Sequence, residues 1–262
     1  MATDPDRQAE ALAASQQQFG KNAANYATST VHAKGASLGR IVEMVQPQAS
    51  WHALDIATAA GHTAFAVAQH VASVVATDVT PEMLEVAQGV ATDRGITNVS
   101  FEEADAHQLG FDDASFDLVT CRIAPHHFAN PAQFVNEAAR VLRSGGVFGL
   151  VDNLAPEDPA TATWCDDFER RRDHSHLRCL PVSEWITLLE AAGLTVVSVE
   201  TMGKKMVFEP WADNMSVPTE TRQQLLADLA GASDDVVAWL RPDLRDEPSF
   251  VLTEGLFVAT KP

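Results

Sequence analysis

Short apolar runs alternate with segments of helical period along most of the chain. Five of these runs have the length of buried strands: residues 51–56, 71–77, 99–103, 116–121 and 147–151. Between them, apolar residues recur three or four positions apart, which is typical of amphipathic helices. This alternation predicts βαβ units. We therefore expect a Rossmann-like, doubly wound α/β fold, with a mostly parallel sheet and helices on both faces.

Turn and capping residues predict where individual elements begin and end. Ser183 has the side chain of an N-cap, which predicts a helix from there to Gly193. The pair Gly145 and Gly146 predicts the turn that leads into strand 147–151.

Two stretches, residues 154–181 and 206–248, interrupt the alternation. The second contains a predicted helix at 219–229, and further strands are predicted at 195–200 and 250–260. In doubly wound folds, ligands bind at the carboxyl edge of the sheet. We therefore interpret both stretches as insertions over that edge that form a lid on the substrate side.

The domain organisation that follows has one core with additions. Residues 37–202 plus 249–262 form the predicted core, and residues 1–36 form an N-terminal cap segment. The insertions at 154–181 and 206–248 belong to the substrate side.

Composition narrows the range of partners. The 262 residues contain 36 Asp and Glu against 18 Lys and Arg, a formal net charge of −18. Such a field repels nucleic-acid phosphates and anionic lipid surfaces, so we expect neither as the main partner. Its simplest consequence is solubility, and it carries no information about a reaction. Oligomeric state is left open.

The cysteines and the start of the chain bear on location. Cys121, Cys165 and Cys179 are few and widely spaced, a pattern that favours reduced thiols and no metal site. Neither a secretion signal nor an apolar run of about 18 residues is present in the sequence. We expect a soluble cytoplasmic protein without a membrane span.

Acidic residues at strand ends outline a nucleoside site. The first strand contains Asp55 and is followed by a small-residue turn that ends at Gly61, where a helix begins. Asp78 ends the second strand 23 positions after Asp55, where a carboxylate accepts hydrogen bonds from both ribose hydroxyls. Asp105 follows the third strand and could accept from an adenine amino group. The alternatives are a helix-cap or loop acid for Asp78 and an ordinary turn acid for Asp105.

These residues carry a family resemblance. The stretches LDIATAAGHTA, VVATDVTPEML, FDLV and RVLRSGG, in this order, resemble the class I S-adenosylmethionine-dependent methyltransferases. The resemblance covers residues 38–200 and is greatest to the small-molecule branch related to ubiquinone and menaquinone methyltransferases. It implies a seven-stranded sheet whose last strand is antiparallel, which suits the run at 250–260.

The resemblance also implies a set of cofactor contacts for S-adenosylmethionine and its product S-adenosylhomocysteine. These residues are Tyr26, Asp55, Ala57, Thr58, Gly61, Asp78, Val79, Met83, Asp105, Ala106, Cys121 and Arg122. By this resemblance the turn 57–61 contacts the methionine part, Asp78 binds the ribose, and Val79 and Met83 pack on the adenine. Asp105 and Ala106 meet the adenine edge, Cys121 and Arg122 line the methionine pocket, and Tyr26 closes over the cofactor.

The chain departs from the family pattern D-x-G-x-G-x-G in its turn. Asp55 and Gly61 match the first and last positions, but Ala57 and Ala59 replace two glycines. An alanine held at positive φ costs about 1 kcal/mol. Its methyl group also limits how closely the backbone approaches a ligand.

Two adjacent histidines are the candidates for acid–base chemistry. His126 and His127 follow the fourth strand, where a methyl acceptor would lie, and a neutral imidazole takes up a proton near pH 7. Either could instead be a structural histidine. Asp152 and Asn153 follow the fifth strand and would orient substrate or cap the next segment.

Other polar and aromatic residues are weaker candidates. The segment 169–176 is rich in titratable groups, although a solvated charged face explains it equally. His32 and Lys34 lie near the N-terminal helix. The tryptophans Trp164, Trp185 and Trp211 could wall a pocket, but we expect them to pack in the core.

Together these features predict a methyltransferase that moves a methyl group from S-adenosylmethionine to a small-molecule acceptor by in-line displacement. A nicotinamide-dependent reductase would need a Tyr-x-x-x-Lys pair, but Tyr26 is the only tyrosine. A base-directed nucleic-acid methyltransferase would carry an N/D-P-P-Y/F/W motif after the fourth strand, where Cys121 and Arg122 stand instead. A non-catalytic cofactor-binding protein remains an alternative, as does a protein methyltransferase.

Overall fold

A computed structural model describes residues 5–28 and 35–262, with side chains for residues 8–21 and 35–262. The described strands are β1 (His52–Ile56), β2 (Ser73–Asp78), β3 (Val99–Glu103), β4 (Phe116–Arg122), β5 (Leu142–Asn153), β6 (Thr195–Val207) and β7 (Ser249–Thr260). They form one sheet in the order β3-β2-β1-β4-β5-β7-β6. Only β7 runs antiparallel to its neighbours in this sheet. The predicted fold class is therefore confirmed.

Helices lie between the strands along the described chain. They are α1 (Pro5–Thr28), α2 (Ala36–Val45), α3 (His62–Ala68), α4 (Pro81–Asp93), α5 (Pro131–Val141), α6 (Pro159–Arg172), α7 (Val182–Ala191), α8 (Phe208–Asp213), α9 (Thr219–Ala230) and α10 (Asp234–Leu240). A short 3-10 turn, Pro125–His127, follows β4.

Each face of the sheet packs against its own helices. On one face, Ile41 of α2 and Val67 of α3 pack with Leu118 of β4. On the other, Phe134 of α5 and Trp185 of α7 share a cluster with residues of the central strands. Burial of apolar area on both faces is the main stabilising term of such a fold, and it fixes the carboxyl edge of the sheet in place.

Three boundaries differ from the sequence prediction. Strand β6 continues to Val207, beyond the predicted end at residue 200, because β7 pairs with β6 along the whole length of β6. The alternating polar residues of β6 do not indicate this pairing. Strand β5 begins at Leu142, so Gly145 and Gly146 lie within it and do not form a turn before it. Helix α7 has Pro181 at its N-cap, and the Ser183 hydroxyl donates to Glu157 Oε2 (2.5 Å) and caps no helix.

The two insertions pack on each other. Phe168 of α6, Phe208 and Trp211 of α8, and Leu225 of α9 belong to one apolar cluster, which also includes Phe250 of β7. This cluster is separate from the two clusters against the faces of the sheet. In the part of the chain with described placement, we find no helix with the length and apolar character needed to cross a membrane.

Helix α1 is held against the carboxyl edge of the sheet by side-chain contacts. Gln16 Nε2 donates to the carbonyl of Val79 (2.8 Å), and Gln8 Nε2 donates to Asp105 Oδ2 (3.1 Å). Helix α1 thus contacts the loops that follow β2 and β3.

Candidate active site

A cavity opens at the carboxyl edge of the sheet and is covered by α1. One end, which we call the turn end, is lined by residues 57–60, 78–80 and 104–107. The other, which we call the histidine end, is lined by His126, His127 and by residues from 169–176 and 204–215. Most of the predicted site residues line this cavity: Ala57, Thr58, Asp78, Val79, Met83, Asp105, Ala106, Arg122, His126 and His127.

Three predicted contacts lie outside the cavity lining, and a fourth has no described side chain. Asp55, Gly61 and Cys121 are outside the cavity lining. The backbone of Tyr26 belongs to α1, but its side chain is outside the described residues. His32 and Lys34 are also outside the described residues.

The turn after β1 holds two alanines in the left-handed region. The φ angles are 53° at Ala57, 47° at Ala59 and 84° at Gly61. A left-handed conformation costs an alanine about 1–2 kcal/mol relative to the right-handed one. At Gly61 a Cβ atom would also collide with the ring of Phe65, so a glycine is required there. The two alanines therefore keep the glycine-like backbone path at some cost in stability.

Asp55, near the end of β1, is hydrogen-bonded to the turn and to β4. Its carboxylate is buried and accepts hydrogen bonds from the hydroxyls of Thr58 (2.6 Å) and Thr120 (2.7 Å). Burial raises the pKa of Asp55 to about 6, and the two hydroxyls and Arg122 act in the opposite direction. Its hydrogen bonds fix the start of the turn relative to β4, while the carboxylate itself lies outside the cavity lining.

Asp78 links the turn to the end of β2. Its Oδ2 accepts from the backbone N–H of Ala59 and its Oδ1 from that of Thr80, both at 2.9 Å. Burial raises the pKa of Asp78, and these backbone N–H groups oppose the shift. The Thr80 hydroxyl and the Val79 N–H also hydrogen-bond to this carboxylate and oppose the shift, so its own loop holds Asp78 in place at the wall of the turn end.

Asp105 lies at the opposite wall of the turn end. Its Oδ1 accepts from the backbone N–H of His107 (2.9 Å), and the His107 Nδ1 lies 2.7 Å from the same oxygen. Burial alone would raise the pKa of Asp105, but the hydrogen bonds from His107 and Gln8 outweigh burial and lower it. The carboxylate therefore stays ionised next to α1.

The last residues of β4 point to different sides of the sheet. Cys121 packs in the core, and burial raises the pKa of its thiol well above the usual value. Arg122 lines the cavity, and its Nε donates to the Thr63 hydroxyl (3.0 Å). Burial lowers the pKa of Arg122, and the charges of Glu254 and Asp55 oppose this.

His126 forms a buried pair with Asp152. Its Nδ1 lies 2.6 Å from Asp152 Oδ1. Burial is the main cause of both shifts: it lowers the pKa of His126 to about 3 and raises that of Asp152 to about 8. At neutral pH the shared proton therefore resides on the Asp152 side, and neither group is charged.

His127 is held in one tautomer by a backbone carbonyl. Its Nδ1 lies 3.0 Å from the carbonyl oxygen of Ser175, which only accepts, so Nδ1 carries the hydrogen and Nε2 carries a lone pair. Burial lowers the pKa of His127 to about 3, so it is neutral at pH 7. The Ser175 hydroxyl donates to Asp173 Oδ1 (2.6 Å). Ser175 therefore links His127 to the carboxylate of Asp173. Burial alone would raise the pKa of Asp173, but the charge of His127 and the hydrogen bond from Ser175 lower it.

A third histidine completes the histidine end. The ring of His176 lies 5.4 Å from that of His126, and its Nε2 is 2.8 Å from Asp166 Oδ1. Asp173, Ser175 and His176 are buried, so this part of segment 169–176 is not a solvated face. Asp166 was not among the sequence candidates, because nothing in its local pattern distinguishes it from a helix-surface acid.

The same neighbourhood contains a group of possible metal ligands. Among the described residues, ligand atoms of Asp166, His176 and Cys179 lie within 4.8 Å of one another. Burial raises the pKa of the Cys179 thiol well above its usual value, which disfavours the thiolate that a metal needs. Asp166 Oδ1 already accepts from the Cys179 backbone N–H (2.9 Å). Hydrogen bonding therefore accounts for this arrangement.

The far wall of the histidine end combines apolar and charged side chains. Trp211 and Trp164 belong to the apolar cluster of the insertions, and Trp185 packs against the sheet, but Trp211 also lines the cavity. Arg172 donates from Nε to the Trp211 carbonyl (3.3 Å) and from one terminal nitrogen to Glu169 Oε2 (3.2 Å).

The fold and the cavity define the class of this protein. The sheet order with one antiparallel strand, and acidic residues at the ends of β2 and β3 beside a tight turn after β1, are those of a class I methyltransferase.

Comparisons with known proteins agree with this class. Residues 54–150 match the methyltransferase domain family. The uncharacterized methyltransferase YcgJ of Bacillus subtilis is 37% identical over 217 residues, which are 83% of this chain and 86% of YcgJ. The ubiquinone/menaquinone biosynthesis C-methyltransferase UbiE of Zymomonas mobilis is 38% identical over 107 residues, 41% of this chain and 44% of UbiE.

Solved structures are similar over most of the chain. A candidate methyltransferase from Bacillus halodurans is 38% identical with a TM-score of 0.84, covering 87% of this chain and all of that one. The YcgJ structure is 35% identical with a TM-score of 0.83, covering 86% and 97%. The chain belongs to the class I S-adenosylmethionine-dependent methyltransferases, and membership implies binding of S-adenosylmethionine and S-adenosylhomocysteine.

Proposed function

We propose that this enzyme methylates a small-molecule acceptor, with the cofactor in the turn end and the acceptor in the histidine end of one cavity. The observation that carries the proposal is the continuity of that cavity from Asp78 to His127. A ligand bound across both ends would have its reactive centre beside the histidines.

The residues of the turn end fit the cofactor chemically. The Asp78 carboxylate lines the turn end as an acceptor for the ribose hydroxyls, and the Asp105 carboxylate is available to the adenine edge. The backbone of the turn at Ala57 and Ala59 lines the cavity with the left-handed path that glycines give in the family pattern. Arg122 would lie at the methionine part.

When bound, the cofactor supplies a methyl group already activated as a sulfonium, so the protein has only to align, desolvate and deprotonate the acceptor. Helix α1 covers the cavity and limits the access of water. We assign the base to His127 Nε2, because its lone pair is fixed by the hydrogen bond at Nδ1. The Asp173 carboxylate would stabilise the imidazolium that forms.

Calorimetric titration tests the cofactor assignment. We expect S-adenosylmethionine and S-adenosylhomocysteine to bind with micromolar affinity, and NADPH not to bind. Enzyme incubated with deuteromethyl S-adenosylmethionine and a small-molecule extract should then produce a mass-shifted product. Cofactor binding without any labelled small molecule would favour the non-catalytic alternative, and failure of both nucleosides to bind would overturn the proposal.

A further inference from the structure

We infer that His107 is a positioning residue for the cofactor: it holds one oxygen of Asp105, so that the other oxygen accepts from the 6-amino group of adenine. The inference rests on the proposed function, because it concerns the cofactor in the turn end. It follows from the way in which the hydrogen bonds of Asp105 are divided between its two carboxylate oxygens.

One oxygen of Asp105 is occupied within its own loop. Asp105 Oδ1 accepts from the backbone N–H of His107 (2.9 Å), and His107 Nδ1 lies 2.7 Å from the same oxygen. A carboxylate oxygen has two lone pairs, so these two groups of His107 fill Oδ1 when both of them donate. The role of His107 therefore depends on which ring nitrogen carries the hydrogen.

A main-chain donor determines the tautomer of His107. The backbone N–H of Asn130 donates to His107 Nε2 (3.3 Å). Because a main-chain N–H only donates, Nε2 carries the lone pair and Nδ1 carries the hydrogen. Nδ1 is then the donor to Asp105 Oδ1, and a neutral ring makes both hydrogen bonds.

The side chain of His107 is fixed by its surroundings. It is buried, and its ring packs edge-on against Phe128, with centroids 5.5 Å apart. The carbonyl of His107 accepts from Gln133 Nε2 (2.8 Å), and Gln133 belongs to α5. A residue held in this way presents its donor at a constant position, which fixes the rotamer of the carboxylate that it binds. Asp105 is thus oriented from α5 and from the loop that precedes it.

The second oxygen of Asp105 faces the helix that covers the cavity. Gln8 of α1 lines the cavity, and its Nε2 donates to Asp105 Oδ2 (3.1 Å). The amide of Gln8 and the 6-amino group of adenine both donate through a planar NH2 group. Oδ2 therefore already accepts the kind of donor that adenine offers, and the amino group of a bound cofactor would take the place of the Gln8 amide.

Two ligands that differ in one group test this assignment. S-adenosylhomocysteine is compared with its desamino analogue, in which hydrogen replaces the 6-amino group of adenine, by calorimetric titration at pH 7. Loss of a hydrogen bond to a charged group weakens binding, so we expect the wild type to prefer S-adenosylhomocysteine by about tenfold or more. Equal affinity for the two ligands would overturn the inference.

Variants of His107 separate positioning from a merely structural role. His107→Leu removes the ring donor, and we expect the preference for S-adenosylhomocysteine to fall to about threefold or less. His107→Asn places an N–H donor where Nδ1 stood, so the preference should return to within about twofold of the wild-type value. His70→Leu, at an exposed histidine outside the cavity lining, is the matched control and should keep the wild-type preference. If His107→Leu binds both ligands more weakly but keeps their ratio, the role is structural and the inference is wrong.

A change at Asp105 itself gives a second test, which decides if His107→Leu does not fold. In Asp105→Asn the two donors of His107 select the amide oxygen for the Oδ1 position, so the amide NH2 group takes the Oδ2 position. Two donors then face each other, and we expect the desamino analogue to bind at least as tightly as S-adenosylhomocysteine. A side chain that His107 did not hold would turn its oxygen to the adenine, so an unchanged preference in this variant would contradict the inference.

The outcomes distinguish this inference from the proposed function. If S-adenosylhomocysteine does not bind to the wild type, the proposed function fails. If it binds but its advantage does not depend on the amino group or on His107, only the inference about His107 fails.

Discussion

The two ends of the cavity are built in different ways. The turn end consists of backbone turns and strand-end carboxylates that all come from two consecutive βαβ units, β1 to β3. The histidine end collects side chains from the loop after β4, from α6 and from β6 to α8, which are far apart in the chain. The first end is held by hydrogen bonds to main-chain N–H groups, and the second by buried pairs of titratable side chains.

This difference in construction indicates how well each end tolerates changes of its side chains. Main-chain hydrogen bonds at Asp78 tolerate many changes of neighbouring side chains, as the two alanines of the turn illustrate. Side-chain pairs such as His126 with Asp152 depend on both members, because an unpaired buried partner is costly. We therefore expect the turn end to keep the same ligand, the cofactor, when its side chains vary. We expect the side chains of the histidine end to determine which acceptor is bound.

The largest effect should come from the histidine end. His127→Ala removes the proposed base and should lower kcat by about 10²- to 10⁴-fold, with S-adenosylhomocysteine affinity unchanged. Single-turnover formation of S-adenosylhomocysteine, with an acceptor that the wild-type enzyme methylates, measures this. His126→Ala is the comparison: if it alone abolishes turnover while His127→Ala does not, the base is misassigned.

At the turn end, Asp78→Ala should weaken cofactor binding by about 1–3 kcal/mol through loss of charge-assisted hydrogen bonds. Calorimetric titration with S-adenosylhomocysteine measures this, and urea unfolding of the same variant shows whether the freed N–H groups of Ala59 and Thr80 also cost stability. Asp112→Ala, at an exposed acid outside the cavity, should bind as the wild type does. Unchanged affinity in Asp78→Ala would mean that the ribose lies elsewhere.

The sequence predicted more of one end than of the other for a physical reason. Strand periodicity and chain spacing predict that Asp78 and Asp105 end adjacent strands, because parallel strands bring their carboxyl ends to one edge. The same logic brings His126 and Asp152 together, since β4 pairs with β5. In these cases local pattern and topology suffice.

Contacts between segments distant in sequence were not predictable in this way. Ser175 holds His127, 48 positions away, only because the segment after α6 packs against the 3-10 turn that follows β4, where the N–H of Leu177 donates to the His126 carbonyl (3.0 Å). Gln8 and Phe19 reach the cavity from α1, whose sequence does not indicate the surface on which the helix docks. A single sequence contains the residue types for such contacts but not their distances.

The buried pair His126–Asp152 should make stability depend on pH. The pKa of Asp152 is about 8 in the fold, against about 3.9 for an exposed aspartate. The folded state binds the Asp152 proton more tightly than the unfolded state does. The contribution of this proton to the free energy of unfolding is therefore complete below about pH 4 and is lost as the pH rises to about 8. Burial lowers the pKa values of His126 and His127 to about 3 in the fold. Their contribution to the free energy of unfolding is therefore complete above about pH 6.5 and is lost as the pH falls below that value.

The free energy of unfolding should therefore be greatest near pH 6.5. Asp152→Asn should remove the decrease of this free energy that the wild type shows above pH 6.5. The asparagine donates to His126 Nδ1 as the protonated aspartic acid does, so we expect a relative gain of about 2 kcal/mol between pH 6.5 and 8.5. Urea unfolding at both pH values measures this, with Asp112→Asn as the control. Parallel pH profiles for the wild type and Asp152→Asn would contradict the assigned protonation.

The smallest effect concerns the alanines of the turn. Because Ala59 has a φ of 47°, Ala59→Gly should relieve strain and stabilise the fold by about 1 kcal/mol, although glycine loses more conformational entropy on folding. Ala160→Gly, in the first turn of α6, should instead destabilise it by about 0.5–1 kcal/mol. Thermal unfolding of both variants compares the signs. If Ala59→Gly destabilises as much as Ala160→Gly does, the turn is not strained, and the alanines are then neutral replacements for the family's glycines.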